Sequence, residues 1–221
     1  SEHPVAVGRQ LGALRLGQAR IGAPATDRRF KVARTRYYCA ASLDGFIAEA
    51  DDTIEWLTGY EGRYEGNGAQ PIAGGYDDFY PGVGALVIGS VTYEWILRHI
   101  GGGGDWPYSG KPCWILSSRT LPVPEGEGVD VRIVNAAVPD LHGEMLASGG
   151  NGDLWIVGGG NVASQFADAG LLDEVAVTIV PVVLGAGKPL FDRRLPGGAM
   201  QLTGVYPRRN GMVELCYAIR N

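Results

Sequence analysis

At 221 residues the chain is long enough for one domain with a sizeable core, and its 35 Gly and 13 Pro are too many for a helical bundle but suit a sheet protein with many turns. The formal charge of −5 hides a split: the first 36 residues hold 8 Lys and Arg against 2 Asp and Glu, leaving 11 against 22 in the other 185. So acidic a body excludes a nucleic-acid partner, no apolar run approaches the roughly 20 residues of a membrane span, and Cys39, Cys113 and Cys216 stand singly in apolar runs without metal spacing. Buried thiols, a cytoplasmic location and no metal are the expectations.

In chain order, residues 1–35 carry Arg9, Arg15, Arg20, Arg28, Arg29 and Arg34 among Gly and Ala with little apolar periodicity, and read as a flexible extension or an arm across a partner subunit. Residues 36–221 read as the folded domain. Arg36–Ala41 is the first strand, broken at Ser42-Leu43-Asp44-Gly45 by a turn signal and resumed at Phe46-Ile47-Ala48. Asp51, Asp52 and Thr53 are expected to cap a helix at Ile54–Leu57. Gly59–Gly75 is a long polar loop, and Tyr76–Tyr80 a short helical piece. Strand Ala85–Ile88 leads through Gly89-Ser90 into a helix over Thr92–His99. Strands follow at Lys111–Leu116 and Val129–Val134, then a short helix at Leu141–Ala147.

Leu154–Val157 is an apolar strand that stops at Gly158-Gly159-Gly160, and Val162, Phe166 and Ala169 then space one face of a helix ended by Gly170. Val175–Leu184 has the β-branched composition of a strand buried on both faces, and Gln201–Tyr206 with Met212–Ile219 closes the chain as an antiparallel pair. Strand and helix alternate, so the expected fold is α/β: a mixed, mostly parallel sheet with flanking helices and an antiparallel C-terminal hairpin.

Three glycines between a strand and a helix let a ligand approach the backbone, and the first-turn N–H groups of the helix favour an anion such as a pyrophosphate. Gly158, Gly160 and Ala163 satisfy G-x-G-x-x-A, but Asp173 and Glu174 come too early for the acidic partner of a conventional dinucleotide fold. After Lys111–Leu116, the hydroxyls of Ser117 and Ser118 and the Arg119 guanidinium suit a phosphate monoester.

Taken together, S-L-D-G-F-I-A from Ser42, V-I-G-S-V-T-Y-E from Val87 and W-I-V-G-G-G-N-V from Trp155 resemble the dihydrofolate reductase superfamily. The stretch Gly170–Phe191 is similar to the branch that holds the reductase domain of the riboflavin-biosynthesis deaminase-reductase. The resemblance implies a dihydrofolate reductase-like fold, NADPH as hydride donor and a homodimer. It implies that Ala41, Ile47 and Ala48 flank the nicotinamide, that Gly89, Ser90 and Thr92 form a phosphate-binding turn, and that Leu116, Ser117, Ser118 and Arg119 hold the adenosine ribose and its 2′-phosphate. Val157, Gly158, Gly159, Gly160, Asn161 and Val162 would lie under the pyrophosphate and nicotinamide.

Three positions depart from the family pattern. Ser90-Val91 stands where a cation often follows the glycine, so preference for NADP(H) rests on Arg119. Phe46 replaces a substrate-holding cation, and Val157 replaces a glutamate. Asp44 is the expected proton relay or substrate-orienting group, with Phe46 and Trp56 against a flat substrate. The expected activity is hydride transfer from NADPH to a small heterocyclic (pterin- or pyrimidine-like) or carbonyl substrate. The alternatives are 5-amino-6-(5-phosphoribosylamino)uracil reductase and a non-catalytic, NADP-binding or regulatory protein.

Overall fold

The computed structural model describes residues 32–61, 75–100, 105–208 and 210–220. The basic N-terminal segment up to residue 31 and most of the expected Gly59–Gly75 loop lie outside these. The strands are β1 (Thr35–Ser42), β2 (Phe46–Ala48), β3 (Val83–Gly89), β4 (Pro112–Leu116), β5 (Asp130–Val134), β6 (Asp153–Gly158), β7 (Glu174–Val180), β8 (Lys188–Pro189), β9 (Met200–Pro207) and β10 (Val213–Ile219). The helices are α1 (Glu55–Thr58), α2 (Tyr76–Phe79), α3 (Ser90–Ile100), α4 (Val138–Ser148) and α5 (Gly160–Asp168), with a 3-10 turn at Tyr80–Gly82.

Eight strands form one sheet in the order β5-β4-β3-β6-β1-β7-β10-β9. The first six run parallel, and β10 joins β7 antiparallel with β9 beyond it. Two apolar layers sandwich the parallel part, as the buried composition of these strands requires. On one face Val87, Leu154, Ile156, Val175 and Val177 pack with Val162 and Phe166 of α5 and Val138 and Met145 of α4. On the other Leu86, Ile88, Cys113, Ile115 and Trp155 pack with Tyr93 and Ile96 of α3.

The expected elements differ from these mainly at their ends. The strand expected over Val175–Leu184 stops at Val180, because Pro181 has no N–H for the ladder, and Val182 N–H turns back to the Val180 carbonyl at 2.8 Å. The expected capping of α1 is replaced by a local turn: the Asp51 carboxylate accepts from the Thr53 N–H at 3.2 Å and hydroxyl at 2.8 Å, and Ile54 precedes the helix with no side-chain cap. A second, two-stranded sheet pairs β2 with β8, Phe46 opposite Pro189 and Ala48 opposite Lys188. Among the described residues no helix is long and apolar enough to cross a membrane.

Candidate functional site

Strands β3 and β6 are neighbours, yet the chain leaves them for opposite faces of the sheet, into α3 and α5. That makes a crevice outside their carboxyl ends, where open α/β sheets bind ligands. The two exits are in close contact. A methyl group on Gly158 would stand 3.1 Å from Cγ2 and Oγ1 of Thr92, so the backbone after β6 runs against the first turn of α3. Gly159 then takes φ 91°, which turns the strand into α5. Both helices therefore direct first-turn N–H groups, which have no partner within a helix, at one place.

A cavity of about 600 Å³ opens there. Its floor is the glycine turn from Val157 to Asn161, and Val91, Thr92, Trp95 and Ile96 of α3 form one wall. Tyr38, Tyr108 and Trp155 supply further aromatic surface, with the Trp155 indole N–H donated to the Tyr38 carbonyl at 2.9 Å. Ile54 and Leu57 line it from around α1, and Ile47, Ala48, Lys188 and Pro189 from the small sheet. Thr178 and Met212 close it on the β7–β10 side.

Charge is sparse in this lining. Lys188 Nζ lies 3.3 Å from Asp52 Oδ1, and Asp52 holds a left-handed backbone at φ 69°. Asp192 accepts from Asn161 Nδ2 at 2.6 Å, and hydrogen bonds from Ser164 and then Asn161 keep its carboxyl below the ordinary aspartate value. Burial pushes the Cys39 thiol up to about 12 and the Tyr38 and Tyr108 phenols well above the usual tyrosine value, so all three stay protonated at neutral pH. Among the described residues no group of three His, Cys, Asp or Glu is arranged to hold a metal.

Of the residues singled out in the sequence, Ile47, Ala48, Thr92, Val157, Gly158, Gly159, Gly160 and Asn161 meet in this cavity. Ala41 is fully buried beside the lining Ala40, and Val162 of α5 packs into the core. Gly89 and Ser90 form the β3–α3 junction just before the lining Val91. Leu116 pairs with Gly89, which sets Ser117, Ser118 and Arg119 one strand further along the same edge, outside the lining. Phe46 belongs to the β2–β8 sheet without lining the cavity, and Trp56 sits between the lining Ile54 and Leu57 with its Nε1 buried and unpartnered among the described residues.

Asp44 is exposed and outside the cavity. It accepts from the Ser42 hydroxyl at 2.7 Å and from the Leu184 and Gly185 N–H groups at 3.1 and 2.7 Å, so it fastens the turn after β1 to the loop that carries β8. Sequence reasoning passed over Tyr38, Trp95, Trp155, Thr178, Met212 and the Asp52–Lys188 pair. Trp95 was within reach: it follows Val91 and Thr92 at the i+4 and i+3 spacing of one helix face.

The model of the RibD C-terminal domain matches residues 110–213. The uncharacterized protein YwjB of Bacillus subtilis is 32% identical over 174 residues, which cover 77% of this chain and 90% of YwjB. A solved protein from Shewanella sp. PV-4, named for riboflavin biosynthesis, is 26% identical at a TM-score of 0.68, covering 85% of this chain and 99% of that one. Dihydrofolate reductase from Enterococcus faecalis, solved with NADP(H), is 15% identical at a TM-score of 0.52 over 85% of this chain and 97% of its own, a likeness of fold alone. The mixed sheet with its antiparallel C-terminal pair is thus a dihydrofolate reductase-like fold.

Proposed function

The chain belongs to the RibD C-terminal domain family, and from that premise we propose that it is an NADPH-dependent reductase that transfers hydride to a small heterocyclic, pterin- or pyrimidine-like, or carbonyl substrate. The observation that carries this reading is the convergence of the α3 and α5 N-termini, through Gly158 and Thr92, on the edge of one apolar cavity. Its volume of about 600 Å³ falls within the range of small-molecule sites. The glycine cradle and the paired helix N-termini fit a dinucleotide's pyrophosphate.

When bound, the reduced nicotinamide would supply the hydride. Thr92 and the turn from Gly158 to Asn161 would hold the pyrophosphate, Ile47 and Ala48 would flank the nicotinamide, and Leu116 to Arg119 would take the adenosine ribose. Tyr38, Trp95, Tyr108 and Trp155 exclude water and offer flat faces to a ring. Asp44 acts in this reading as a positioning residue, because its carboxylate holds the loop on which Lys188 and Pro189 line the cavity. Phe46 and Trp56 support the substrate side. Lys188 is paired with Asp52 and Phe46 offers no charge, which favours a neutral substrate over a phosphorylated ribosylamino-uracil. A homodimer goes with this reading and is checked by mass in solution.

A second reading is a nucleotide-binding protein without turnover. It is favoured by the state of the lining groups: both carboxylates are engaged, and the phenols and the thiol hold their protons. Titration with NADPH, read as energy transfer from tryptophan to the nicotinamide and followed by addition of pterins, pyrimidines and quinones, separates the two. Saturable binding with oxidation of NADPH supports the reductase, binding without oxidation by any acceptor supports the second reading, and no binding overturns both.

A further inference from the structure

Arg119 is the cation on which recognition of a 2′-phosphate would depend, and it is already engaged. Its NH1 and NH2 donate to Oε1 and Oε2 of Glu94 at 3.0 and 2.7 Å, a bidentate pair. Glu94 lies on α3 between Thr92 and Trp95, which line the cavity, and Arg119 follows β4 at the strand edge beside Gly89. The Arg119 backbone is held too: the Ser117 hydroxyl accepts from its N–H at 2.9 Å and donates to its carbonyl at 3.1 Å. The guanidinium thus stays where α3 and the β4 edge meet.

We propose that Glu94 tempers the choice between the two nicotinamide dinucleotides, so that NADPH keeps an advantage of no more than about tenfold over NADH. The inference rests on the reductase reading above and names the residue that governs its cofactor specificity. A 2′-phosphate reaching Arg119 must displace a carboxylate that already fills the guanidinium fork, and it then lies beside that negative charge. An adenosine 2′-hydroxyl meets neither obstacle and can donate to the same carboxylate, as acidic residues do in dinucleotide sites. Because Arg119 is about half exposed, with its side chain at 54% and that of Glu94 at 30%, the pair is weak enough for a ligand to compete with it.

The test is equilibrium binding of NADPH and of NADH to the wild-type chain, Glu94→Gln and Arg119→Ala, each followed by tryptophan-to-nicotinamide energy transfer. The wild type is expected to bind both within about tenfold of each other. Glu94→Gln should tighten NADPH by about tenfold and leave NADH within about twofold, while Arg119→Ala weakens NADPH alone. Both nucleotides binding with a ratio unmoved by Glu94→Gln overturns the inference and leaves the reductase reading standing. Binding of neither by the wild type overturns the reading and the inference together. Should Glu94→Gln not fold, competition of 2′,5′-ADP against 5′-ADP on the wild type decides: similar affinities support the inference, and a preference above about 100-fold for 2′,5′-ADP overturns it.

Discussion

A methyl group on Gly160 would stand 2.3 Å from the Pro189 carbonyl oxygen and 2.9 Å from that of Leu190. The first turn of α5 is thereby packed backbone to backbone against the strand that closes the cavity. Gly160→Ala must push the two apart, which is expected to cost about 1–3 kcal/mol of stability and to weaken NADPH binding by roughly tenfold or more. Gly143, in the middle of α4, is the matched control: nothing lies within 4 Å of its added methyl group, and Gly143→Ala should stabilise by about 0.5–1 kcal/mol with binding unchanged. Urea midpoints with a binding titration of each variant check this, and equal effects at the two sites would refute the close-packing argument.

The parallel core was legible in the sequence because each strand is a short apolar run ended by glycine or a polar cluster, as Leu154–Val157 is by Gly158. The glycine turn was legible for the same reason. The aromatic wall was not, since Tyr38, Tyr108 and Trp155 come from three separate elements and meet only when β1, β6 and the segment before β4 are assembled. Asp44 and Arg119 show the opposite limit. Their residue types and positions suggested chemistry, but their partners Leu184, Gly185 and Glu94 lie 140, 141 and 25 residues away, and no local pattern announces such contacts.

Arg36 on β1 binds Glu174 of the neighbouring β7 through Nε at 2.7 Å and through NH2, and its NH1 lies 3.5 Å from Asp153 Oδ2 of β6. Asp153 is only 1% exposed and also accepts from the Arg34 N–H at 3.1 Å, so removing the guanidinium takes away one of its partners. Arg36→Met is expected to destabilise by about 1–3 kcal/mol, since Arg34 still reaches both carboxylates, and adding Glu174→Gln should recover part of the loss. The double-mutant cycle in urea measures this; strict additivity would rule out the coupling.

Burial, complete for Cys113 and partial for Cys39 and Cys216, raises each of the three thiols to about 12. At pH 8 almost none of any thiol is ionised, and only the thiolate attacks a disulfide reagent. The native chain should therefore react with such a reagent slowly, and all three cysteines should react at once in denaturant. Rapid titration of Cys113, which is fully buried, in the native chain at pH 8 would contradict the packing described for the sheet.

Hydrogen bonding, first from Ser42 and then from the Gly185 and Leu184 N–H groups, lowers the Asp44 carboxyl below the usual aspartate value. A carboxyl depressed in the folded chain contributes stability above its unfolded pKa of about 3.9, and the contribution is lost as pH falls through the lower folded value. Asp192, depressed by Ser164 and Asn161, behaves in the same way in the cavity lining. The loop before β8 and the contact of Asp192 with α5 should accordingly loosen below about pH 4. In Asp44→Asn the urea midpoint should already be reduced at pH 6 and should fall less steeply on acidification than in the wild type. If Asp44 instead relays a proton to substrate, the same variant would keep the wild-type midpoint at both pH values and lose turnover, so comparing midpoints at pH 6 and pH 3.5 with turnover at pH 6 decides between fastening and catalysis.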